Sequence, residues 1–250
     1  MQNQGMLVLA LDTTTKAGGV ALVDEGRLLE SSTGDGSRPH AERLPGDLLD
    51  LLGRHGRDLV SVDLFAVAAG PGSFTGLRIG IATMQGLAMA SGRPLVGVSA
   101  LEALAFSAAS LLEAGQHRVA VWLDAQRGEV FSAVYEVGVD DRGTANPSVI
   151  EPPESATAAN VANRWRHEGR LRGLTLAGAG AHRYRDVVEA FSTDVFARVL
   201  DGPSSIAPAV AQLGRRAFAA GGSFLPHAIR PLYVRRPDAE LARDRQRRQP

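Results

Sequence analysis

Asp12 ends a continuous apolar run, Met6 to Leu11, and is followed by Thr13, Thr14 and Thr15. A carboxylate at a strand end with hydroxyls on the returning turn can hold a hydrated metal and meet phosphate oxygens. The same residues can also do no more than close a turn. Further on, Gly70-Pro71-Gly72-Ser73 leads into Phe74-Thr75-Gly76-Leu77-Arg78-Ile79-Gly80. The glycines permit a sharp reversal, Ser73 can cap the helix behind it, and free amides at a helix start attract anions. The Gly-Lys-Ser/Thr of a Walker A loop is missing, so a capped strand-to-helix turn is the plain alternative. Asp124 and Glu129 flank a turn that carries Arg127. Paired carboxylates can do acid–base chemistry, but an ion-paired hairpin turn is the better reading.

The histidines are His40, His55, His117, His167, His182 and His227, and no pair has metal-ligand spacing, so no metal site is expected. Arg230-Pro231-Leu232-Tyr233-Val234-Arg235-Arg236 sets an aromatic among arginines near the terminus. Such a segment can clasp a partner, a nucleotide or RNA, or it can be an ordinary surface tail.

The elements that must position these groups repeat. Met6–Leu11, Gly18–Val23 and Arg27–Ser32 read as a three-stranded antiparallel meander with a tight turn at Asp24-Glu25-Gly26. Pro39–Leu52 reads as a helix with Leu44, Leu48, Leu51 and Leu52 on one face. A buried strand at Leu64–Ala69, a helix at Phe74–Ser91, a strand at Pro94–Val98 and a helix at Ala100–Ala114 follow. The order then restarts with a strand ending in Asp124 and a strand at Glu129–Glu136. The repeat of strand, Asp, turn and strand implies two similar subdomains. The stretch 140–153 reads as loop, Leu174–Ala177 as a strand running into Gly178-Ala179-Gly180, and Pro208–Ala220 as a late helix. Residues 6–108 are therefore assigned to an N-terminal subdomain and 109–207 to a C-terminal one. The late helix, about 208–220, is expected to pack back on the first subdomain, and 235–250 to be a mobile tail.

The Phe74–Ser91 helix is rich in small residues. Gly76, Gly80 and Thr83 lie along one side, and Gly86 and Ala90 extend a second row. An interior glycine costs a helix about 1 kcal/mol against alanine, and close approach of another element is the physical offset. Two readings follow: an intermolecular helix bundle with the Pro39–Leu52 helix, which we favour, or an internal contact.

The 250 residues are 44% hydrophobic, enough for real cores in one large domain or two small ones. Lys and Arg balance Asp and Glu at 27 each, so any RNA contact must be local or made through a partner. The absence of cysteine excludes disulfides, a thiol nucleophile and thiolate metal ligation. No run approaches the roughly 20 apolar residues of a membrane helix. We expect a cytoplasmic chain that needs no membrane.

Leu9–Thr14, the Gly70–Gly80 stretch, Gly97-Val98-Ser99, Asp124-Ala125 with Glu129-Val130, and Pro231–Arg235 together resemble the bacterial TsaB (YeaZ) family over nearly the whole chain. The resemblance implies an α/β architecture, the duplicated ribonuclease-H-like fold of actin and sugar kinases. It implies a noncatalytic role in forming threonylcarbamoyladenosine beside the tRNA anticodon, with a catalytic TsaD-type paralogue and a TsaE-type ATPase as partners. The paralogue's two metal-binding histidines would fall at Ala100 and Leu104, which offer a metal no lone pair. Gly178-Ala179-Gly180 would be a degenerate nucleotide loop.

The resemblance also implies a two-helix interface with the paralogue or with a second copy of this chain. Its candidates are His40, Leu44, Leu48, Leu51, Phe74, Thr75, Gly76, Arg78, Ile79, Gly80 and Thr83. Asp12, Thr13, Thr14, Tyr233 and Arg235 are candidate nucleotide or interface contacts. No intrinsic cofactor is expected, with ATP or ADP placed at a subunit interface and tRNA met through the complex. The rival is an independent ATP-binding phosphotransferase of the same fold. A metallopeptidase fails for want of ligands and of a nucleophile triad.

Overall fold

A computed structural model describes residues 5–168, 172–192 and 195–235. The first half runs β1 (Leu7–Asp12), β2 (Gly19–Asp24), β3 (Arg27–Thr33), α1 (His40–Arg54), β4 (Leu64–Gly70), α2 (Phe74–Ala90), β5 (Leu95–Ser99) and α3 (Ala100–Ala108). The second runs β6 (Gly115–Asp124), β7 (Glu129–Val139), β8 (Ala145–Thr157), α4 (Ala158–Glu168), β9 (Leu174–Ala177), α5 (Ala179–Arg183), α6 (Arg185–Ala190), β10 (Phe196–Leu200) and α7 (Ala207–Ala219).

The sheet orders are β3-β2-β1-β4-β5 and β10-β9-β6-β7-β8, the same arrangement read from opposite edges. In each, the first strand is antiparallel to the second and parallel to the fourth. The duplicated ribonuclease-H-like plan is therefore present. β1 is central and covered on both faces, which is why its six residues are apolar up to Asp12 and all buried.

Five layers result. α1 and α2 cover the outer face of the first sheet over Leu9, Leu11, Phe65 and Val67. On the outer face of the second sheet Trp122 and Phe196 are buried against Trp165 of α4, with Phe196 edge-on to both indoles. Between the sheets lie α3 and α7, which share one apolar core with both inner faces. These inner helices are exchanged. α7 packs on β1, β2, β4 and β5, whereas α3 packs on β6, β7 and β8. A division at residue 108 groups α3 with the first subdomain by covalent order, but its packing belongs to the second sheet.

Ser99 caps α3 by accepting from the Glu102 amide at 3.4 Å, and it also hydrogen-bonds the Tyr135 hydroxyl. Tyr135 is fully buried, and that burial pushes its hydroxyl up to about 12. A native pKa above the unfolded value of about 10 gives stability that is complete below pH 10 and lost as pH rises through 12. The expected loss is about 3 kcal/mol. Urea midpoints for Tyr135→Phe should lack this alkaline decline between pH 10 and 12.

The stretch read as loop at 140–153 is largely β8. Pro147, Pro152 and Pro153 hide the strand in the sequence, but β8 is an edge strand, where a missing N–H is tolerated. Pro152 and Pro153 fall where the register slips opposite Ser132 to Val134. α3 ends at Ala108 and not at Ala114, and β6 begins early, at Gly115 with φ +142°. Among the described residues no helix is long and apolar enough to cross a membrane. Residues 236–250 of the expected tail lie outside the described residues.

Candidate functional site

The β1–β2 turn carries Asp12 into full burial. Its Oδ1 accepts from the Thr14 amide at 2.8 Å and the Thr14 hydroxyl at 2.6 Å, and the carboxylate also accepts from the Ile206 amide at the start of α7. Desolvation by burial raises its pKa, and the Thr14 and Ile206 hydrogen bonds and the charge field of His40 oppose the rise. Ser205, next to Ile206, lies against Gly19, so that a Cβ on Gly19 would strike its side chain. The turn is braced from α1. His40 Nε2 lies 2.9 Å from the Thr15 carbonyl, and Arg43, itself buried, donates to the Ala17 carbonyl and pairs with Asp47. The carboxylate that could meet a phosphate therefore holds its own turn to the α7 start.

α2 lies over this turn. A Cβ on Gly76 would collide with the Thr13 carbonyl oxygen, and one on Gly80 with the Thr13 hydroxyl. The close approach that these glycines allow is internal, not intermolecular, which corrects the favoured sequence reading. Leu44, Leu48 and Leu51 are likewise fully buried in the first sheet's outer core and cannot touch a partner while α1 stays packed. The expected interface set thus divides. Phe74, Thr75 and Arg78 are exposed, His40, Ile79 and Thr83 are half-buried, and Leu44, Leu48, Leu51, Gly76 and Gly80 are interior.

The faces that remain open are Pro45, Gly46, Leu49 and Gly53 on α1 and Ala82, Gly86, Met89 and Ala90 on α2. Leu49 is 49% and Met89 61% exposed. Sequence reasoning noted Gly86 and Ala90 as a second small-residue row but chose its interface candidates from the strongest apolar stripe, which marks a helix's own core. The opposite face was the available signal.

In the second half, Asp124 pairs with Arg183 at 3.2 Å and accepts from the Gln126 amide at 2.9 Å. Glu129 pairs with Arg235 at 3.1 Å and accepts from Ser155 at 2.8 Å. The ion-paired turn is present, with Arg183 on Asp124 and Arg235 on Glu129. Arg235 also donates to the Ala125 carbonyl at 2.9 Å, so it is an anchor and not the start of a mobile tail. It ends a segment, 222–235, that makes one helical turn at Pro226–Ala228 and runs along the start of β5 and the end of β4. There Leu95 N–H donates to the Phe224 carbonyl at 3.1 Å and Leu232 N–H to the Ala69 carbonyl at 2.7 Å. Tyr233 stacks on Phe74 at 5.0 Å, and Arg78 Nε donates to the Tyr233 hydroxyl at 2.9 Å.

Ala100 and Leu104 lie in the core between the sheets. Leu104 Cδ2 and the Trp122 carbonyl fill the space that a Cβ on Gly178 would need, and the Trp122 side chain does so at Gly180. No three His, Cys, Asp or Glu side chains converge among the described residues.

Residues 34–211 match the family model described as TsaD, tRNA N6-adenosine threonylcarbamoyltransferase. The chain is 39% identical over 184 residues to the tRNA threonylcarbamoyladenosine biosynthesis protein TsaB of Escherichia coli, covering 68% of this chain and 78% of that one. It belongs to the TsaB family. A solved Pseudomonas aeruginosa structure, described as an uncharacterized protein similar to peptidase YEAZ, superposes with a TM-score of 0.74 at 32% identity. The match covers 92% of this chain and 100% of that one. An Arthrobacter polyphosphate/ATP-glucomannokinase shares the fold alone, with a TM-score of 0.50 at 14% identity over 86% of this chain and 100% of that one. Within the TsaB family, this chain's strand-end Asp12 and Gly178 loop are both packed by its own side chains, and its α1 and α2 present a small-residue outer face.

Proposed function

We propose that this chain is a noncatalytic subunit in the formation of threonylcarbamoyladenosine in tRNA. It would bind and activate a TsaD-type catalytic paralogue, together with a TsaE-type ATPase, and meet tRNA within that complex. The observation that carries this is the filling of both loops that would serve a nucleotide. Asp12 is bonded to Thr14 and Ile206, and Leu104 lies against Gly178. The name of the E. coli relative supports the pathway. ATP or ADP, where the assembly uses it, would sit at a subunit junction. Against the rival phosphotransferase, Asp12 already accepts from the Thr14 amide and hydroxyl and from the Ile206 amide, and Asp124 is ion-paired.

The open faces of α1 and α2 would form the helix interface, with the paralogue or with a second copy. A side chain at Gly86 meets nothing within 4 Å in this chain. Gly86→Leu should therefore leave the melting temperature unchanged or slightly raised, since glycine costs a helix about 1 kcal/mol. The same change should abolish pairing in size-exclusion chromatography with light scattering.

The deciding experiment is reconstitution. This chain and the catalytic paralogue of the same organism should co-elute, and threonylcarbamoyl transfer to tRNA with the ATPase present should need both. Absence of a complex and of any effect on transfer would sink the proposal. Calorimetric titration with Mg-ATP tests the rival, for which tight binding by this chain alone is required.

A further inference from the structure

A chain with no net charge can contact RNA only through a local surface, and one region of this molecule has the composition for it. Residues 69–92 and 221–235 contain no Asp or Glu, yet they carry Arg78, Arg230 and Arg235. The structure lays the second segment along α2, with Gln85 in mid-helix donating to the Pro226 and Ile229 carbonyls and Tyr233 reaching the N-terminal end. Phe74 and Tyr233 stack at 5.0 Å with an interplanar angle of 26°. The Arg78 guanidinium lies 4.0 Å from the Phe74 ring centre and is oriented by the Tyr233 hydroxyl.

The rings are not spent on the core. Phe74 is 37%, Tyr233 39% and the adjacent Leu232 41% exposed. Arg78 meets the Phe74 ring and the Tyr233 hydroxyl, and Arg230 meets the His227 and Ile229 carbonyls. Among the described residues neither makes an ion pair with a carboxylate, so both charges remain for an external anion. The nearby carboxylates of Asp124 and Glu129 are already paired with Arg183 and Arg235.

We propose that the Phe74–Tyr233–Arg78 cluster, with Arg230, is a contact surface for an unpaired segment of RNA. The Tyr233 ring, backed by Phe74, would stack a base and the two guanidiniums would meet phosphates. Stacking is tolerant of sequence and arginine is suited to phosphate, so the surface fits single-stranded loop nucleotides better than a duplex. The two halves of the surface are pinned before any ligand arrives. Leu232 N–H is bonded to the Ala69 carbonyl, and Arg235 ties the segment to the β6–β7 turn. This inference rests on tRNA being the substrate of the assembly. It adds a direct contact from this chain.

The test is fluorescence anisotropy with a labelled tRNA transcript, on this chain alone and on its complex with the catalytic paralogue, across a salt series. Arg78→Gln and Arg230→Gln should each weaken binding several-fold and flatten the plot of log affinity against log salt by about one unit per lost phosphate contact. Tyr233→Ala should weaken it about 5- to 150-fold, the range for loss of one stacked base. Arg57→Gln, whose residue pairs with Asp24 at the other end of the first sheet, should bind like the parent chain. Unchanged affinity in all three site variants, each confirmed folded by its melting curve, overturns the proposal. So does an effect of Arg78→Gln on co-elution with the paralogue but none on RNA affinity, which would make the surface a protein contact. RNA binding that depends on Arg78 in a chain that never pairs with the paralogue would uphold this proposal and remove the subunit reading.

Discussion

Gly76→Val should destabilise the fold sharply. The new side chain would be driven into the backbone carbonyl of Thr13, which is fixed by the β1–β2 turn and cannot rotate away. Overpacking a close-packed site typically costs about 1–3 kcal/mol, and a clash with backbone lies at or beyond the upper end. Gly80→Ala differs in kind, because its obstacle is the Thr13 side chain: the hydroxyl first and then Cγ2 at 2.9 Å. Its cost is partly offset by about 1 kcal/mol of helix propensity. The Thr13 hydroxyl is buried and has no hydrogen-bond partner, so its removal sacrifices little. Thr13→Ala should therefore relieve Gly80→Ala and do nothing for Gly76→Val. A double-mutant cycle by urea denaturation reads the difference. A Gly76→Val protein that melts like the parent would refute the packing of α2 on the turn and restore the intermolecular account of these glycines.

The second large effect is at Asp12. Asp12→Ala removes the acceptor for the Thr14 amide, the Thr14 hydroxyl and the Ile206 amide inside a site that water does not reach. Orphaned buried donors cost about 1–3 kcal/mol each, so a loss of about 2–4 kcal/mol is expected after relaxation. Asp12→Asn keeps a carbonyl for Thr14 and sheds the buried charge, and should be close to neutral at pH 7. The pH dependence separates the two contributions. Burial raises the native pKa of Asp12 above its unfolded value. Its contribution is therefore complete below the unfolded pKa of about 3.9 and lost as pH rises through the native one. Stability curves of the parent and Asp12→Asn should diverge on the acid side and run parallel above the native pKa. Equal loss in Asp12→Ala and Asp12→Asn at neutral pH would mean that the charge itself, not the acceptor set, holds the turn.

The sheets were legible where strands are central. β1, β4 and β9 read as apolar runs because both faces are covered, and the repeat of strand, Asp and turn announced the duplication. Edge strands were not legible in the same way. β8 is broken by three prolines and β10 shows three exposed residues in five, so neither carries the alternation that identifies a strand. At the candidate site, Asp12 and the Gly70–Gly80 stretch stand out in the sequence, but their partners do not. Which surface a glycine row approaches depends on a turn more than 60 residues away in sequence, and Ile206 reaches Asp12 from the far half of the chain. Spacing along one helix cannot distinguish a neighbour in the same chain from one in another.

The exchange of α3 and α7 changes what the duplication means. Neither half closes its own inner face: the last helix of each is housed by the other sheet, with a single apolar core running through both. The arrangement is that of a two-fold dimer of half-length chains that have traded their terminal helices, with a linker joining the copies. A rotation of one half against the other would draw a helix out of the sheet that houses it.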